Sequence, residues 1–101
     1  MATPTPGSRV VEAELTWALA EVAGAHLDAA ERNNLYVAIG IGETFFAIGL
    51  LTAAIVRNDL AISGNLVTRL HAWLDSYCGH DDELRLRDLI GRMSIHARGQ
   101  P

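Results

Sequence analysis

From Leu35 to Val56 the chain reads LYVAIGIGETFFAIGLLTAAIV, apolar on every face, with Glu43 as its only charge. A helix of that character is either surrounded by protein or placed in a bilayer. At 1.5 Å per residue the run reaches about 33 Å, enough for a hydrocarbon core of about 30 Å. A single-pass membrane protein spanning residues 35–56 is therefore one reading. Energetics and flanks oppose it: the large aliphatic and Phe side chains favour insertion by roughly 3–7 kcal/mol, and Glu43 takes back about 2.5–3.5 kcal/mol. Arg32 and Arg57 balance each other, so no positive-inside asymmetry is present. The rest of the chain supplies three amphipathic helices that need an apolar surface to cover. The expected fold is all-α, a single small bundle of four to five helices around a hydrophobic central helix, with residues 35–56 innermost. Gly40 and Gly42 leave open whether that segment is one helix or two, because glycine is costly inside a helix.

Local signals place the other elements. Pro4, Pro6 and Gly7 mark residues 1–7 as a disordered tail, and 98–101 as another, leaving a single helical domain over 8–97. Ser8 is a candidate N-cap for a first helix running to about Ala25, whose apolar stripe is Val11, Leu15, Ala18 and Val22. Asp28-Ala-Ala-Glu31 has the form of a capping box that opens the next helix. Ser63-Gly64-Asn65 supplies a turn and a cap before a helix bearing Leu66, Val67, Leu70, Trp73, Leu74 and Tyr77 on one side. Gly79 closes it. His80 to Glu83 then forms the acidic start of a last helix that buries Leu86, Leu89, Ile90 and Met93, with Glu83–Arg87 and Asp88–Arg92 as exposed ion pairs. No segment requires a strand.

Charge and cysteine content narrow the function classes. Eight Arg, no Lys and twelve acidic residues give a net charge of -4, which provides no field for a phosphate backbone, so no nucleic acid is expected as a partner. The single Cys78 excludes an intrachain disulfide and fits a reducing, cytoplasmic setting.

Three patterns touch on chemistry. Gly40-x-Gly42 after Tyr36 to Ile39 looks superficially like a dinucleotide fingerprint, but Phe45 stands where a third glycine is needed and no nucleotide-binding sheet surrounds it. Thr68, His71, Asp75 and Cys78 fall at spacings of three, four and three, with His80 just beyond; His71, Asp75, Cys78 and His80 are thus candidate ligands for zinc or a related metal. The alternative reading of that stripe is a solvated face, and no Cys-x-x-Cys or His-x-x-x-His element supports metal. Cysteine catalysis is disfavoured, since His71 and Cys78 stand about 10 Å apart along a straight helix. Glu43 is expected on an exposed strip or at the start of a second half-helix beside Gly42.

These observations lead to a small non-catalytic interaction or regulatory protein acting through a helical surface, with no cofactor, as a homodimer or with a protein partner. The small residues Ala38, Gly42, Gly49 and Ala53 recur along one side of the central segment and, with Trp17 or Trp73, are the expected interface. A metal-binding helical module is the alternative.

Overall fold

A computed structural model describes residues 6–96. Most of the expected 1–7 tail and all of the 98–101 tail lie outside the described residues. The fold is all-α, with five helices among the described residues in the order α1 (Pro6–Ala23), α2 (Ala29–Gly40), α3 (Thr44–Arg57), α4 (Gly64–Asp75) and α5 (Glu83–Gly91). A short 3-10 turn, Gly24–His26, joins α1 to α2. Two strands of three residues, β1 (Ala61–Ser63) before α4 and β2 (Ser94–His96) after α5, pair in parallel with Ile62 opposite Ile95. That pairing was not expected, because three residues leave no alternation to read; buried Ile62 holds the pair against α4.

The long apolar segment is two helices, and only the second is innermost. Gly42 adopts φ +83°, the left-handed conformation that glycine takes without penalty. Its N–H donates to the Ile39 carbonyl and the Glu43 N–H donates to the Ala38 carbonyl, so α2 closes in a Schellman motif. α3 ends the same way on Asp59 (φ 52°), with Leu60 N–H donating to Ile55 and Asp59 N–H to Val56. Between these stops Ala47, Ile48, Leu51, Ala54 and Ile55 are wholly buried, and α1, α2 and α5 pack around them. α2, in contrast, buries Leu35 and Ala38 but leaves Tyr36, Val37 and Ile41 exposed. No helix among the described residues is long and apolar enough to cross a membrane.

Capping follows the sequence closely. Asp28 and Glu31 form the reciprocal capping box, and Ser63 accepts from Leu66 N–H at the head of α4. The first helix differs: it already includes Pro6, so Ser8 lies in its first turn, and it yields to the 3-10 turn at Gly24. From Glu12 onward its buried residues are Leu15, Thr16, Leu19 and Ala23, a stripe rotated from the expected one, of which Ala18 and Val22 are only partly buried and Val11 lies outside the described side chains. Both expected ion pairs are present on α5, Asp88–Arg92 (3.0 Å) exposed and Glu83–Arg87 (2.5 Å) partly buried.

Thr52 is the one discordant residue of α3. It is fully buried, and its hydroxyl has no hydrogen-bond partner among the described residues. A buried orphan hydroxyl costs about 1–3 kcal/mol. Thr52→Val, which keeps the shape and removes the polar atom, is expected to raise stability by about 1 kcal/mol, read as a higher urea midpoint with an unchanged m-value.

Candidate functional site

The bundle's main polar feature centres on Glu12, in the second turn of α1. Glu12 precedes Leu15 and Leu19 by three and seven residues, so the helix carries its carboxylate to the core side. There Oε1 accepts from the Thr44 hydroxyl at 2.9 Å, and Oε2 accepts from the Trp73 indole N–H at 2.9 Å and from the Tyr77 hydroxyl. One carboxylate thus ties α1 to the start of α3, to α4 and to the turn after α4. Thr16, buried one turn on, donates to the Glu12 carbonyl at 2.8 Å.

Aromatic rings surround this acid. Phe45 lies 5.2 Å from Trp73 and 4.7 Å, edge-on, from Tyr77, and His80 stacks on it at 4.2 Å. The backbone permits this because α4 stops at Asp75: Tyr77 and His80 sit in the following turns, with left-handed Gly79 (φ +90°) turning His80 back over Phe45. Burial, with the hydrogen bond to Glu12 and its negative charge, pushes the Tyr77 hydroxyl up to about 12. A raised folded-state value favours the protonated form in the fold. Its stabilising contribution is complete below the unfolded value near 10 and is lost as pH rises toward 12. Spectrophotometric titration at 295 nm is expected to resolve a tyrosine ionising near pH 12, coincident with loss of structure, and Glu12→Gln is expected to move that step toward 10.

A cleft of about 520 Å³ opens beside the cluster. Glu12, Phe45 and Tyr77 line it from inside, and Ile41, Gly42, Glu43 and Thr44 form its rim at the α2–α3 turn. These lining residues include two carboxylates and no base. Glu43 is exposed at the N-cap of α3, as the sequence suggested, and its side chain makes no capping bond.

The residues expected to bind elsewhere are dispersed. Asp75 pairs with Arg87 at 2.8 Å, His71 and Cys78 are exposed, and His80 accepts from the Asp82 N–H through Nδ1. Cys78 lies beyond the end of α4, so the expected stripe does not continue to it. Among the described residues no three His, Cys, Asp or Glu side chains gather to hold a metal ion. The small-residue ridge does not form one face either. The break at Gly42 divides it, Ala38 and Gly49 are buried, Ala53 is half-buried, and Leu86 of α5 lies against Gly49. Trp73 is 5% exposed and belongs to the interior, whereas Trp17 is 51% exposed. Glu12 escaped the sequence reading, although a carboxylate in register with Leu15 and Leu19 was a visible signal.

No family model, curated protein or solved structure matches this chain.

Proposed function

We propose that this chain is a non-catalytic helical interaction protein that docks a partner protein at the α2–α3 corner. The observation that carries this reading is the clustering of exposed large apolar side chains. Tyr36, Val37, Ile41 and Phe46 are each more than half exposed and fall within one short stretch around the turn. Single exposed apolar residues are ordinary, but a concentration of them beside a cleft is typical of an interaction surface. The acidic cleft that begins at Ile41 favours a partner whose apolar side chains are flanked by basic ones. A non-catalytic role is supported by how the reactive groups are used. Tyr77 is held protonated by Glu12, His80 is engaged by Phe45 and Asp82, and exposed Cys78 suits a reducing compartment such as the cytoplasm. The homodimer expected from sequence rested on a continuous apolar helix needing cover, a need that the break at Gly42 weakens.

Site-specific photocrosslinking tests the docking surface. A benzoylphenylalanine at Ile41 is expected to give one discrete adduct in a host extract, and the same group at exposed Leu84 none. Val37→Asp, at a site 53% exposed, is expected to abolish the adduct without changing the melting temperature. Equal labelling at both positions would overturn the reading, and an adduct of twice the chain mass would assign the surface to a second copy.

A further inference from the structure

We infer that the cleft beside Glu12 is a socket for a cationic side chain, arginine or lysine, carried by the docked partner; this rests on the docking reading above. Two features of different kinds converge there. The first is charge. Among the described residues, Glu12 and Glu43 line the cleft and no basic residue does, so an anionic group is repelled and a cation is attracted. Among the described residues Glu12 accepts from Thr44, Trp73 and Tyr77, and a carboxylate offers about four acceptor positions, so one is open there to a donor from the cleft. Glu43 holds none of the ion pairs among the described residues. The second feature is the wall. Phe45, which already carries His80 stacked at 4.2 Å, and Tyr77 line it with aromatic rings, and aromatic rings attract ammonium and guanidinium groups. The aliphatic stem of Arg or Lys then has Ile41 at the rim to cover, while its charged head reaches the carboxylates. The volume of about 520 Å³ accommodates one such side chain.

The pieces are rigidly placed. Gly42 in its Schellman turn sets the rim, and the hydrogen bonds to Glu12 fix Tyr77 at the inner wall and Thr44 at the rim. The socket therefore exists before the partner arrives, which lowers the ordering cost of binding.

The test uses three acetylated, amidated pentapeptides, Ala-Leu-X-Leu-Ala, with X as arginine, lysine or citrulline, the last a neutral counterpart of arginine. They are titrated into the full chain labelled with ¹⁵N. The arginine or lysine peptide is expected to shift the amide signals of Gly42, Glu43 and Phe45 saturably, with citrulline binding roughly tenfold more weakly. Glu43→Gln, at an exposed position without a side-chain bond, is expected to erase most of that preference while leaving the melting temperature unchanged. Equal affinity for arginine and citrulline would overturn the cation socket and leave the docking surface standing. Absence of saturable shifts at the rim, with the Ile41 crosslink retained, would overturn the socket alone. Loss of both would remove the docking reading as well.

Discussion

Replacing Glu12 with Ala is expected to lower the stability of the fold by about 3 kcal/mol. The substitution leaves three donors on three different elements without their acceptor: the Thr44 hydroxyl, the nearly buried Trp73 indole N–H and the half-buried Tyr77 hydroxyl. A hydrogen bond to a charged group contributes about 1.5–3 kcal/mol, and these three share one acceptor, so their losses do not simply add. For a domain of this size the change corresponds to a fall in Tm of roughly 12–24 °C. Glu12→Gln separates the hydrogen bonds from the charge. With its amide oxygen toward Trp73 and Tyr77 and its NH₂ toward Thr44, whose hydroxyl can turn to accept, every contact survives in a weaker neutral form. The expected cost is about 1 kcal/mol. Calorimetry of the two variants checks both values; equal, small losses would remove Glu12 from its place at the centre of the fold.

Gly49→Leu is expected to be similarly damaging, at about 2–3 kcal/mol, and Gly49→Ala to be stabilising by up to about 1 kcal/mol. A Cβ built on Gly49 meets the Leu86 side chain at 3.7 Å, an ordinary contact, so alanine fits and brings its higher helix propensity. Leucine adds three further carbons to a position that is buried and already faced by Leu86, forcing off-rotamer packing between α3 and α5. Urea denaturation of the pair shows the opposite signs directly. This pair also distinguishes core from interface. If Gly49 faced a second copy, leucine would change the mass seen by light scattering and not the stability of the isolated fold.

The same residues show how far sequence reaches in this protein. Asp28 with Glu31, Ser63 and the Glu83–Arg87 pair act within one turn of the chain, so their partners are set by helical spacing and were legible without coordinates. The all-α class follows from the same local periodicities. The stop at Gly42 was half legible: a glycine inside an apolar run permits a break, but whether the backbone takes it depends on what α3 gains by packing among α1, α2 and α5. The β1–β2 pair and the Glu12 cluster lay further out of reach. Ala61–Ser63 meets Ser94–His96, and Glu12 meets Thr44, Trp73 and Tyr77, across long stretches of intervening chain. The small-residue ridge failed for the same reason, since spacing along α3 identifies Gly49 as a place of close approach but does not say that the visitor is Leu86. Local hydrogen bonding and hydrophobic periodicity thus determined which segments are helical and where most of them begin. Only the tertiary structure decided which faces meet, because contacts between distant segments are selected by the joint packing of the whole core, and the cleft is a product of that packing.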